Sequence, residues 1–92
     1  MIAVTETEVW RARTPFLPLD PAPNGAGDAV AALFLAHFLA TRQPAEALRQ
    51  AAAAIYAVFA ATVRAGTREI QLIAAQEEIM RPKRTFPVDR IA

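Results

Sequence analysis

Two runs free of glycine and proline, residues 28–43 and 45–65, are apolar around most of their circumference when wound as helices, and they set the problem this chain has to solve. Helices of that kind need cover on more than one side. The means are modest: 54% of the 92 residues are hydrophobic, but 22 of those 50 side chains are alanine, which leaves 28 larger apolar groups. A chain of this length buries roughly 60% of its unfolded surface, enough for one small α/β unit spanning 1–92 and not for a second domain. The longest apolar stretch, Ala51 to Val63, is bracketed by Arg49 and Arg64. It falls short of the ~20 residues that cross a bilayer and predicts a buried helix with no membrane partner.

Ten Lys and Arg stand against nine Asp and Glu, net +1, with the basic residues scattered, so the chain lacks the charge footprint of a nucleic-acid binder. Without cysteine there is no disulfide framework, thiolate zinc site or cysteine nucleophile. The opening Met1-Ile2-Ala3-Val4 meets Glu6 and Glu8 at once, unlike a secretory leader, and the simplest expectation is a cytoplasmic location.

Local signals divide the chain. Residues 2–5 and 8–13 predict two strands joined by a tight turn, with Trp10 and Ala12 on one face and Val9, Arg11 and Arg13 on the other. Four prolines between Pro15 and Pro23 break regular structure and predict an ordered loop or flap. A helix is expected from about Gly27 or Asp28, carrying Val30, Leu33, Phe34 and Phe38 at helical spacing, to about Thr41. A second opens with Pro44 and Glu46 in its first turn and stops at Gly66; its ~22 residues would run ~33 Å. Alternation over 68–73 predicts a short strand, Ala74 to Met80 a last helix closed by Pro82, and the tail to Ala92 an irregular segment. Three short strands are too few to cover both main helices, so these elements are expected to belong on a larger sheet, and the isolated chain is expected to be marginal or to self-associate.

The densest chemistry lies in Asn24-Gly25-Ala26-Gly27-Asp28 at the mouth of the first helix. Glycines let a backbone turn tightly and approach a ligand, and the first amides of a helix lack intrahelical partners and attract anions. A carboxylate there could take the proton of an alcohol while the amides hold a transferring phosphoryl group. It could equally be an N-cap that accepts hydrogen bonds from the next turn. The Gly-Lys-Ser/Thr ending of a Walker A loop and the six-residue glycine fingerprint of dinucleotide folds are both absent.

The run PNGAGDAVAALFLAHFL resembles the C-terminal signature of ribokinase-like small-molecule kinases, in which a Gly-x-Gly-Asp turn opens a helix. The spacing onward to AGTREIQLIAAQEEIMRPKRTFPVDRI is similar to the end of bacterial pyridoxal kinases, with Arg68 to Gln76 the most telling stretch. The resemblance covers nearly all 92 residues but only about the last third of such a kinase, and it implies an α/β ribokinase-like fold. It also implies that Asp28 is the catalytic base and that Gly25, Ala26 and Gly27 form an anion hole, with Asn24 where many relatives carry threonine. Thr14, Pro15, Phe16 and Leu17 map onto the nucleotide pocket, although Phe16 and Leu17 could equally anchor the proline-rich loop to the core. ATP, Mg2+, potassium activation, a pyridoxal-type vitamer and a homodimer are further family expectations. Residues that contact the vitamer and organise magnesium belong upstream of this sequence. The isolated chain is expected to be inactive.

Two alternatives stay open: a truncated remnant serving as a helical packing or assembly module, and a related enzyme such as a hydroxymethylpyrimidine kinase. His37, the only histidine, has no second histidine or cysteine to share a metal and fits packing or a surface position. Glu77 and Glu78 point about 100° apart on a helix and read as solvated rather than as a paired-carboxylate site. Trp10, Tyr56 and Phe59 fit the core, and Arg81-Pro82-Lys83-Arg84 is too brief for a polyanion site.

Overall fold

Strand pairing begins with the hairpin. In the computed structural model, which describes residues 1–18 and 23–92, β1 (Ile2–Val4) and β2 (Val9–Ala12) pair antiparallel with Ala3 opposite Trp10. Thr5 closes the turn: its N–H donates to the Glu8 carbonyl at 2.8 Å and its Oγ1 accepts the Glu8 N–H at 2.9 Å. Ala3 and Ala12 are buried beneath the helices, with Trp10 packed beside them.

The first helix, α1 (Ala26–Thr41), begins one or two residues before the expected start and ends where expected, and the second, α2 (Pro44–Ala65), has the expected bounds. Pro44 at the first helical position starts α2, since its missing N–H would have had no partner there. Gly66 ends it at φ 66°, and the N–H of Gly66 donates to the carbonyls of Thr62 and Val63, each at 3.1 Å. α1 stops without a glycine: Arg42 takes φ 56° and its N–H donates to the Phe38 carbonyl at 2.7 Å.

α2 is the centre of the molecule. Eleven of its residues are buried, including Leu48, Ile55 and Val58, and its alanines let α1 and the sheet come close. α1 packs on it through Val30, Leu33 and Phe34, with Phe38 stacked on Phe34 at 6.0 Å. No α1 residue is fully buried, and its outer face leaves Leu35 56% and Leu39 53% exposed. The expectation that both helices lack cover therefore holds for α1 alone; the chain itself encloses α2.

Two local expectations are corrected. Residues 68–73 form no continuous strand; they make a single parallel bridge, Asn24 to Glu69, before the short helix α3 (Gln76–Met80). The tail is not irregular throughout. Phe86 is buried against Tyr56, ring centroids 4.7 Å apart, and β3 (Val88–Arg90) pairs with β2 to give the sheet order β1-β2-β3. Arg11 and Asp89 face each other in that pairing and form an ion pair at 2.8 Å. The expected loop from Pro15 to Pro23 lies partly outside the described residues. Among those described, no helix is long and apolar enough to cross a membrane.

Candidate phosphoryl-transfer turn

Gly25 is the residue on which the candidate site turns. It has φ 84°, a left-handed conformation that disfavours any residue with a Cβ, and it is the N-cap of α1. A Cβ there would stand 3.4 Å from the Ile70 side chain. Ala26, Gly27 and Asp28 are then the first three helical residues, and the first intrahelical bond runs from the Ala29 N–H to the Gly25 carbonyl at 3.0 Å. Among the described residues, the amides of Gly25, Ala26, Gly27 and Asp28 have no hydrogen-bond acceptor. Gly27 is helical, and open space lies where its Cβ would be, so a ligand can reach this backbone.

Asp28 is exposed and makes no side-chain capping bond. The capping alternative is thereby corrected: Gly25 takes the cap, and the Asp28 carboxylate stands at the positive end of α1, where the helix dipole favours its charge.

A platform that sequence reasoning missed holds the turn. The Asn24 N–H donates to the Arg68 carbonyl at 2.8 Å, and Asn24 Nδ2 donates to Glu69 Oε1 at 3.1 Å. Asn24 thus spends one amide hydrogen on Glu69. The one signal for this in the sequence was the complementarity of an amide and a carboxylate 45 residues apart, too common to single out.

Of the four nucleotide-pocket candidates, Thr14, Pro15 and Leu17 line an apolar cavity of about 280 Å3 with Val30, Ile55 and Phe59. Phe16 does not join them; it is 90% exposed. Val30 lies two residues beyond Asp28, so cavity and carboxylate meet at the same end of α1, although Asp28 is not among the lining residues. His37 is half-buried in the middle of α1, and among the described residues no group of three His, Asp or Glu could hold a metal ion.

A glycine turn opening a helix, an exposed acid in the first helical turn and a hairpin leading into it are the C-terminal elements of a ribokinase-like α/β kinase. No family model matches the chain. By sequence it is 51% identical over 90 residues to pyridoxal kinase PdxY of Deinococcus radiodurans, covering 98% of this chain and 30% of that protein. It is 52% identical over 92 residues to pyridoxal kinase PdxY of Rubrobacter xylanophilus, covering 100% and 31%, and 36% identical over 91 residues to that of Vibrio vulnificus, covering 99% and 31%. The chain corresponds to the C-terminal part of the pyridoxal kinase family and spans about 30% of the length of these relatives.

Proposed function

We propose that the chain supplies the phosphoryl-transfer turn of a pyridoxal kinase, which phosphorylates the 5′-hydroxyl of pyridoxal, pyridoxamine or pyridoxine. The observation that carries this reading is the set of open amides from Gly25 to Asp28 beside an exposed carboxylate, in a sequence 36–52% identical to pyridoxal kinases.

Asp28 takes the proton of the 5′-hydroxyl as its oxygen bonds to the γ-phosphorus of ATP, while the bond from that phosphorus to the bridging oxygen breaks and ADP leaves. The amides of Gly25, Ala26 and Gly27 hold charge on the transferring group from a fixed backbone, with no reorganisation at the moment of reaction. Asn24 ties the turn to the 68–70 platform and has one amide hydrogen left for a phosphate oxygen. The cavity between Thr14, Pro15, Leu17 and Phe59 offers an apolar wall for the nucleotide. The family's divalent metal neutralises phosphate charge, and no described residue cluster of this chain fits it, so no step is assigned to it. The 92 residues act as one unit of a cytoplasmic, homodimeric kinase on this reading, and alone they are inert because half of both substrate sites lies elsewhere.

The test is reconstitution. The chain is fused behind the upstream two-thirds of the Deinococcus radiodurans kinase, and pyridoxal 5′-phosphate formation is followed spectroscopically. Activity should appear in the fusion, be absent from the chain alone, and fall by roughly 10²–10⁴-fold in Asp28→Asn. Turnover by the isolated chain, or a fusion indifferent to Asp28→Asn, overturns the reading. The exposed apolar face of α1 favours a second one, a packing module that assembles without catalysis. Light scattering separates them: stable oligomers unchanged by adding the upstream portion support assembly, and a folded, ATP-binding complex supports the kinase.

A further inference from the structure

Arg64, Lys83 and Arg84 come from two distant segments and line the same recess, a cavity of about 220 Å3 between α2 and the 78–84 segment. Its floor is one stripe of α2: Ala53, Ala57 and Ala60 succeed one another at helical spacing toward Arg64, and their small side chains leave the space unfilled. Tyr56 forms an aromatic wall, and Arg84 is oriented across it, its guanidinium 5.2 Å from the centroids of both Tyr56 and Phe86 and its Nη1 3.3 Å from the Tyr56 hydroxyl.

The charge of the recess is unbalanced. Among the described residues, three cations line it with one carboxylate, Glu78, in a chain whose net charge is only +1. Glu78 engages Lys83 at 3.8 Å, beyond hydrogen-bond length, and among the described residues Arg64 makes no ion pair. Neighbouring Arg81 differs, since Glu77 already neutralises it at 2.6 Å. Guanidinium and ammonium groups lining one recess over an apolar, aromatic floor suit an oxyanion carried on a flat apolar body.

We propose that this recess binds a small phosphate dianion, with preference for an aromatic phosphate monoester: Arg64, Lys83 and Arg84 take the oxygens, and the alanine stripe and the Tyr56 ring take the organic part. No residue of the Gly25–Asp28 turn takes part, so the proposal stands or falls apart from the kinase reading. Arg81 to Arg84 are too brief for a polyanion, but one small anion needs only the two basic residues, Lys83 and Arg84, that Arg64 joins.

The test titrates the isotopically labelled 92-residue chain with inorganic phosphate and with phenyl phosphate at constant ionic strength, with chloride as control, and follows amide and arginine side-chain NMR signals. Saturable shifts at Tyr56, Arg64, Lys83 and Arg84 are expected with both phosphates. Phenyl phosphate should bind roughly tenfold tighter, the equivalent of about 60 Å2 of ring removed from water. Arg64→Ala and Lys83→Ala change exposed residues and should each weaken binding roughly tenfold, as loss of one charge-assisted contact does, while Arg81→Ala should change nothing. Equal shifts with chloride, shifts confined to residues 24–28, or affinity unmoved by Arg64→Ala would overturn it. The same variants in the fusion kinase give a second reading: phosphate-dependent protection of the 78–84 segment from hydrogen exchange should be present in the parent and lost in Arg64→Ala, and its absence in the parent counts against the site.

Discussion

Thr62 is the buried polar group on which the platform beneath the glycine turn depends. It is 1% exposed; its Oγ1 donates to the Val58 carbonyl at 2.8 Å and accepts the Gln71 N–H at 3.2 Å. Thr62→Val keeps the shape and removes the oxygen, which leaves the Gln71 amide without its acceptor. An unsatisfied, partly buried amide costs about 1–3 kcal/mol, and a methyl in place of a hydroxyl returns some of that through better burial. The expected net loss is about 1–2 kcal/mol, which for a domain of this size lowers Tm by about 4–8 °C per kcal/mol. The loss should also be local. Gln71 adjoins Ile70, which flanks Gly25, and the Arg68 carbonyl holds the Asn24 amide. Hydrogen exchange at Gln71 and Asn24 should therefore accelerate more than exchange in the middle of α2. Thr62→Ser, which loses a methyl but keeps the oxygen, should destabilise yet preserve protection at Gln71. A Thr62→Val chain within ~0.5 kcal/mol of the parent by urea unfolding, the usual range of a neutral surface change, would refute the reasoning, as would equal loss of Gln71 protection in the serine variant.

Gly25→Ala should destabilise by about 1–2 kcal/mol, because it forces a Cβ into the left-handed region beside Ile70, whereas Gly27→Ala, helical and unobstructed, should be neutral or stabilising by up to about 1 kcal/mol; paired thermal melts check both. Leu48→Ala, at 1% exposure between helix and sheet, should cost about 2–5 kcal/mol in urea titration. Glu46 has its carboxyl held below the ordinary value of 4.5, first by hydrogen bonds from Arg49 and then by Gln50, with burial opposing. Because its folded-state pKa is depressed, the stability it contributes is complete above the ordinary value of 4.5 and is lost as pH falls from there through the folded-state value. Acid titration of α2 helicity by circular dichroism should therefore show a loss in that window, and Glu46→Gln should flatten it.

What the sequence made legible was local. Pro44 and Gly66 bounded α2 because each acts on its own backbone, and the hairpin could be read because Thr5 to Glu8 leaves room only for a tight turn. The misreadings arose where pairing depends on distant chain. Ile70 and Leu72 alternate with Glu69 and Gln71, which predicts the faces of a strand but says nothing about a neighbour to pair with; in the fold only Glu69 finds one, at Asn24. Val88–Arg90 lies in the tail that reads as irregular, yet β2 supplies its partner and Arg11 meets Asp89 across the register. At the site, the glycine turn was legible in composition, while the cap was misassigned among its alternatives because Gly25, through its positive φ, ends the turn three residues before the acid.

α1 shows most directly how chain length and chemistry are linked. Its stripe of Val30, Leu33 and Phe34 meets α2, and the opposite face is left mostly open by the described residues, with Leu35 and Leu39 more than half exposed. A helix that only held the glycine turn in place would need a polar outer face, since exposed leucines lower solubility and contribute nothing to the local packing. An apolar outer face makes sense if a further layer covers it, and the relatives are about three times as long as this chain. The helix whose first amides are open to an anion is therefore the same helix whose outer side lacks cover. On the proposed reading, the layer that covers Leu35 and Leu39 also brings the other half of the substrate sites to Asp28, so burial of α1 and completion of the site are one event.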